Sequence, residues 1–453
     1  MSGGSSLELR TLSVAIGRRV RLLHDVSLVI DEGEVVGVTG SSGAGKTTLL
    51  HTLSGLVPWL RPARVDGAVD LAGEPLLDLD PGQRAHLVAT CLDRPDAQLY
   101  LATPRQELAA ARRLYGGDGL GEEAVERLEL DRLLDRRIAT LSSGERQRVA
   151  LAVALTGCPR PLLLDEPSAH LDDDGADALA GLLRDATARG GLGLLTEHAG
   201  WRLDGAACRW FHLGAGRLRT TGPPRPPPLP APLEPPRDEV VLSASGVDVA
   251  RGGTALLEGI DLHLRAGEVV LLQGPNGAGK STLALVLAGL QKPESGSVSS
   301  DGPVALMLPE GPLQLFAPTV LDEVSGAGRP EDVARVLRRH RLELLAARAP
   351  WTLSRGEQQR LVHAVMDLMR PRVLLIDEPG QGLDPDDLAA LVELVHRRAA
   401  RGRAYLLISH RRELRGAVHR VLEIRDGRVV AHSTRTPSSG PDPPSGERPT
   451  ANG

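Results

Sequence analysis

The chain has 453 residues, 41% hydrophobic and 25% charged, an ordinary globular composition with room for two or three domains. A net charge of −5 and the lack of any long basic run argue against a dedicated nucleic-acid binder. Three scattered cysteines, Cys91, Cys158 and Cys208, form neither a disulfide framework nor a Cys-x-x-Cys metal site, and each is expected as a small buried hydrophobe in a reducing cytoplasm.

From the N-terminus, MSGGSSLELR lacks the apolar core of a signal peptide, and the apolar run LALVLAGL (283–290) is too short to span a bilayer. Any action at a membrane would then need a partner to hold the chain there. LELRTLSVAI and VRLLHDVSLVI predict an antiparallel flanking sheet. EVVGVTG (34–40) predicts a short buried strand running into GSSGAGKT, residues Gly40, Ser41, Ser42, Gly43, Ala44, Gly45, Lys46 and Thr47. Such a strand–loop–helix aims backbone N–H groups at a phosphate chain, with the lysine on the β- and γ-phosphates and the hydroxyl on Mg²⁺.

Further on, LSSGERQR (141–148) sets Ser142 and Gly144 before an apolar-periodic helix, a second anion site at a helix N-terminus. LLLDEP (162–167) ends a buried strand in Asp165 and Glu166, which side-chain alternation sends to different sides. One carboxylate suits a metal and the other a water. TEH (196–198) places His198 32 residues after Glu166.

GPPRPPPLPAPLEPPRDE (222–239) predicts a semi-rigid proline spacer of roughly 40 Å between two domains, residues 1–221 and 240–432. The second domain repeats every motif. EVVLLQG leads into GPNGAGKS, residues Gly274, Pro275, Asn276, Gly277, Ala278, Gly279, Lys280 and Ser281; LSRGEQQR carries Ser354 and Gly356; LLIDEP carries Asp377 and Glu378; ISH carries His410. From Gly144, Glu166 and His198 to Gly356, Glu378 and His410 the offset is 212 each time, whereas Lys46 to Lys280 is 234, so the second copy is trimmed by 22 residues between those motifs. The tail 433–453 is expected to be disordered.

In both halves this order of phosphate loop, LSxGE segment, acidic strand end and histidine resembles the ATP-binding cassette ATPases. The resemblance implies two tandem P-loop NTPase domains, each with a mostly parallel α/β sheet core, an antiparallel β subdomain and a helical subdomain, and ATP with Mg²⁺ as cofactors. It implies an intramolecular pseudo-dimer with two ATPs between the copies. Lys46, Asp165, Glu166 and His198 would be completed by Ser354 and Gly356, and Lys280, Asp377, Glu378 and His410 by Ser142 and Gly144. Thr47 with Asp165, and Ser281 with Asp377, would hold the metal; Glu166, Glu378, His198 and His410 would be catalytic. Asp172 and Asp384 would meet across the interface.

Departures from the family pattern are expected to matter. Ile16 and Arg251 stand where an aromatic usually stacks on adenine, Arg355 replaces a signature glycine, and Asp93 and Pro309 replace the Q-loop glutamines. Proline cannot ligate a metal through its side chain, so the Lys280 site is expected to be the weaker one. Gln98-Leu99-Tyr100 and Gln314-Leu315-Phe316 resemble the stretch that meets membrane subunits in energy-coupling-factor importers of vitamins or transition-metal ions. That resemblance implies a transmembrane scaffold and a substrate-binding subunit as partners, no direct nucleic acid, and a place at the cytoplasmic face of the membrane. Peptide, sugar or nickel importers, or a soluble translation-associated ATPase, are the alternatives.

Overall fold

The computed structural model describes residues 6–432 except 18–19, 42, 61, 118, 199, 204, 227, 233, 252–253, 276, 310–313, 354, 381–382 and 384. The expected disordered tail and, among site residues, Ser42, Asn276, Ser354 and Asp384 therefore lie outside the description.

Each copy is a six-stranded sheet flanked by a smaller antiparallel one. In the first copy the strands run in the order Arg217–Thr221, Arg209–Gly214, Val35–Thr39, Gly193–Glu197, Leu162–Asp165 and Ala89–Cys91, parallel except for the outermost hairpin. In the second the order is Val304–Met307, Val373–Asp377, Ala404–Ile408, Val269–Gln273, Arg420–Arg425 and Arg428–His432. The strands that lead into the phosphate loops are central and buried along their length, which explains why they are continuous Val- and Leu-rich runs without alternation.

The flanking sheet forms as expected: Leu7–Ile16 pairs antiparallel with Val20–Ile30 and with Ala63–Leu71, and Val240–Arg251 pairs likewise with Thr254–Arg265 and Ser295–Ser300. The trimmed region of the second copy can now be placed. Between Leu71 and Ala89 the first copy inserts the short strand Glu74–Pro75 and the helix Pro81–Ala85, whereas only three residues separate Ser300 from Val304.

The helical subdomains comprise Pro104–Tyr115, Gly121–Arg127 and Ser143–Leu155 in one copy and Val320–Ser325, Pro330–Arg339 and Arg355–Met369 in the other. Among the described residues no helix is long and apolar enough to cross a membrane. Cys91 and Cys158 are buried as expected, but Cys208 is exposed, because it precedes the strand Arg209–Gly214 at the sheet end and only its backbone is tied, to the Val35 carbonyl at 2.8 Å.

The proline segment does not run free as a spacer. His419 bonds the Glu234 carbonyl at 2.8 Å, Arg237 N–H donates to the Ala266 carbonyl at 2.9 Å, and Leu229 packs on the second copy's core. Proline rings carry apolar surface and little entropy to lose, so laying them on a neighbouring domain is favourable.

Candidate active site

Backbone geometry shapes the phosphate loops. Gly43 and Gly277 have φ of 80° and 81°, and a Cβ on either would meet no atom of the described residues within 4 Å, so both loops are open at these positions. Gly45 and Gly279, at φ 105° and 92°, turn the chain into the helices Lys46–Leu53 and Lys280–Leu287, whose N-termini carry no side-chain cap among the described residues. Lys46 Nζ donates to the carbonyls of Gly40 at 2.7 Å and Ser41 at 3.3 Å and lies 3.3 Å from the His198 ring nitrogens. Lys280 Nζ donates to Gly274 at 2.7 Å and Pro275 at 2.9 Å.

The acidic strand ends are buried behind the loops. Thr47 bonds Asp165 and Ser281 bonds Asp377, so the paired residues expected to share a metal are in contact in both copies. Burial pushes the Asp165 carboxyl up to about 7, with the charges of Glu166 and Asp93 adding to it. Burial pushes Asp377 up to about 6, and Glu378 adds to it. In each, Oδ2 is buried without a hydrogen-bond partner among the described residues. An orphaned carboxylate oxygen beside a hydroxyl is an oxygen donor set that fits a hard divalent cation such as Mg²⁺.

Glu166 and Glu378 sit at φ 48° and 52°, in the left-handed region where a non-glycine residue costs about 1–3 kcal/mol. Hydrogen bonds from their N–H groups to the carbonyls of Thr196 at 2.9 Å and Ile408 at 2.8 Å hold them there. That turn takes each glutamate out of strand alternation and brings it to its histidine: Glu166 Oε1 to His198 Nε2 is 2.9 Å, and Glu378 Oε1 to His410 Nδ1 is 3.0 Å. Burial alone would raise the Glu378 carboxyl, yet His410 and Lys280, with the Ser409 hydroxyl at 3.0 Å, hold it at about 2.

Two neighbours were missed in the sequence. Thr196 donates its hydroxyl to Asp165, and Ser409 donates to Glu378. Both lie beside the motif histidines, but at different steps, since Thr196-Glu197 in one copy is replaced by Ile408-Ser409 in the other. The buried Glu197 instead accepts from the Ser168 N–H at 2.8 Å.

Parts of the two copies meet. Asp173 accepts from Arg412 across the boundary at 2.6 Å, and neighbouring Asp172 is close enough for its charge to act on Lys280. Asp172 also caps the helix Asp173–Ala188 by accepting from the Gly175 N–H at 3.0 Å. Ser142 caps the helix Ser143–Leu155 in a capping box with Glu145, and among the described residues its hydrogen bonds stay within its own copy, as do the near neighbours of Gly356. Ile16 is half-buried in the flanking sheet; the side chains of Arg251 and Arg355 lie outside the description. Asp93 faces Asp165 and Cys91, whereas Pro309 brings no ligating side chain.

Residues 23–169 and 257–381 match the ABC transporter family model. A Bacillus subtilis protein whose name describes an HMP/thiamine import ATP-binding protein is 30% identical, over 91% of this chain and 87% of its own. A Streptomyces avermitilis protein, named as an ABC transporter ATP-binding protein, is 32% identical over 90% of both chains. Among solved structures, an RNase-L inhibitor is similar with a TM-score of 0.68 at 22% identity, over 93% of this chain and 90% of that one. A model of ribosome-bound archaeal Pelota and ABCE1 reaches 0.71 at 24%, over 93% and 78%. These two likenesses establish the tandem fold alone.

Proposed function

Because the chain belongs to the ABC transporter family, as an ATPase with two such domains in tandem, we propose that it is the ATP-hydrolysing subunit of an importer for a small nutrient. The observation that carries this reading is a matched pair of exposed aromatics. Tyr100 is 82% exposed and Phe316 84%, although aromatics make up only 2% of the chain, while their neighbours Leu99 and Leu315 pack inward. Gln98 and Gln314 hold the two stretches in the same form, each accepting from one backbone N–H and donating to one carbonyl of the adjoining strand end. Beside Phe316 lies a groove whose apolar side is formed by Ala317, Ala327, Val365 and Met369 and whose rim carries Asp322 and Glu323. A large apolar side chain presented to solvent at equivalent places of both copies suits a hydrophobic partner helix.

Within each site, Lys46 or Lys280 and the loop N–H groups bind the β- and γ-phosphates. Thr47 with Asp165, and Ser281 with Asp377, would hold Mg²⁺, which would neutralise phosphate charge. Glu166 and Glu378 orient the attacking water and accept its proton, and His198 and His410 fix those carboxylates. His410 Nε2, buried without a hydrogen-bond partner among the described residues, remains able to bond a terminal phosphate. Ser142 and Gly144 complete the Lys280 site and Ser354 and Gly356 the Lys46 site; the approach of Asp172 to Lys280 supports this head-to-tail pairing.

The energy-coupling type, with a vitamin or transition-metal ion as cargo, is supported by the Gln-Leu-aromatic stretches and by the import named for the Bacillus subtilis relative. Tagged full-length protein purified from its own membranes should carry an integral membrane scaffold and a substrate-binding subunit. Tyr100→Ala with Phe316→Ala should lose both while keeping nucleotide binding. Recovery of ribosomes in place of membrane subunits would overturn the transport reading.

A further inference from the structure

We propose that the second copy carries an anion site, separate from both nucleotide sites, that takes a small ligand with two or three linked phosphoryl groups. A cavity of about 610 Å³ opens beside the starts of Val304–Met307, Val373–Asp377 and Ala404–Ile408, the opposite end of the sheet from the phosphate loop. Its size falls in the range of roughly 300–1,000 Å³ usual for small-ligand pockets. Arg335 and Arg339 reach it from the helix Pro330–Arg339, Arg370 and Arg372 from the connection before Val373–Asp377, and Arg398, Arg401 and Arg403 from the end of the helix Pro385–Ala399 and the turn beyond.

Counting charges shows an excess. Seven guanidinium groups face Asp301 and Asp367 in the lining. From outside it, Asp332 pairs with Arg335 and with Arg370 at 2.9 Å, and Glu239 pairs with Arg372 at 2.7 Å. Four carboxylates against seven arginines leave three positive charges. Three helices, Pro330–Arg339, Arg355–Met369 and Pro385–Ala399, end beside the cavity, and their C-terminal dipoles, each worth about half a charge, offset about half of that. The remainder is repulsion within the cluster. Arg339 shows it: burial, then Arg398, Arg335 and Arg401, lower its pKa.

The fold itself does not require this charge. At the 212-residue offset, Arg335, Arg370, Arg398 and Arg403 are replaced in the first copy by Glu123, Cys158, Ala186 and Gly191. The first copy keeps Arg127, Arg160 and Arg189 at the positions of Arg339, Arg372 and Arg401, but there Asp185 pairs with Arg127 and Glu123 with Arg189, which closes the cluster. Where the second copy has put an arginine opposite an arginine, the first has an ion pair.

Planar guanidinium forks match phosphate oxygens in pairs, better than they match a monovalent anion. No aromatic side chain lines the cavity, so recognition falls on the phosphoryl chain and not on a base.

Calorimetric titration with inorganic triphosphate tests the proposal on the full-length chain. Wild type should bind three per chain, Lys46→Ala with Lys280→Ala one, and Arg335→Ala with Arg401→Ala two. Arg335 and Arg401 are exposed, so that variant should keep its melting temperature. GTP titrated into the Lys46→Ala, Lys280→Ala chain separates the sources: affinity equal to triphosphate points to an inorganic ligand, and affinity at least tenfold tighter to a nucleotide. Two sites in wild type, or three in the Arg335→Ala, Arg401→Ala chain, would overturn the proposal. Failure of the lysine variants to remove sites would count against the nucleotide-site reading alone.

Discussion

On the buried face of the helix Ser143–Leu155 of the first copy and against it, Leu151, Leu155 and Leu128 are fully buried apolar residues, whereas the same positions in the second copy hold His363, Asp367 and His340. Asp367 accepts from Arg398 at 2.8 Å and bonds His340 at 3.1 Å, with Arg403 at 3.5 Å. Burial would raise its carboxyl, yet His340 and Arg398 hold it well below the ordinary carboxylate value. Burial, with His340 adding, pushes His363 down to about 3. One fold thus fills one volume in two ways. The leucines need only shape, while a buried carboxylate needs counter-charges around it, which Arg398 and Arg403 supply at the edge of the arginine-lined cavity. At the other end of the sheet, where the phosphate loops lie, the copies agree almost residue for residue. The two copies share their phosphate loops and acidic strand ends and differ in the remote core.

The largest effect expected concerns the shared end. Glu166→Gln with Glu378→Gln should cut phosphate release by about 10²–10⁴-fold while ATP stays bound, and unchanged release would reject both carboxylates. The single variants sharpen the contrast: Lys46→Ala should depress turnover more than Lys280→Ala, because Pro309 deprives the second site of a ligand that Asp93 can supply to the first. Equal losses would remove that asymmetry.

Next comes the divergent core. Asp367→Asn leaves Arg398 and Arg403 without their anion and should cost about 3–5 kcal/mol in denaturant unfolding of the second copy. If the loss is under about 1 kcal/mol, the carboxylate is not the keystone of that cluster.

Acid should separate the copies more gently. His363 has its folded pKa depressed below the ordinary 6.5, so its burial favours the fold fully above that value and less as pH falls toward about 3. Asp367, depressed below the ordinary 3.8, adds a further loss only at lower pH. At pH 5 the second copy should have lost about 2 kcal/mol. Hydrogen exchange in Arg355–Met369 should then rise ahead of that in Ser143–Leu155, and His363→Leu should abolish the difference.

The smallest effect lies between the copies. Asp173 and Arg412 pair across the boundary, whereas their counterparts, Pro385 and Gly200, cannot. A double-mutant cycle of Asp173→Asn and Arg412→Ala should give a coupling of about 0.5–1 kcal/mol, modest because Arg412 is largely exposed. Zero coupling would leave the boundary without this one-sided tie.

Residue order alone determined the duplication and the strand–loop–helix units, because a phosphate loop packs its chemistry into eight consecutive residues and the repeat certifies the rest; the pairing of Thr47 with Asp165 and Ser281 with Asp377 came from the family resemblance. Tertiary structure decided what no spacing encodes. The left-handed turns of Glu166 and Glu378 depend on hydrogen bonds to a neighbouring strand, and Thr196 and Ser409 matter only because that strand lies alongside. The proline segment became a strap because the second copy offered it a surface. Seven arginines spread from 335 to 403 became one cavity wall because three helix ends converge there. Short-range chemistry is written by adjacency along the chain; an electrostatic field is the sum over whatever folding brings near, and that sum exists only once the chain is packed.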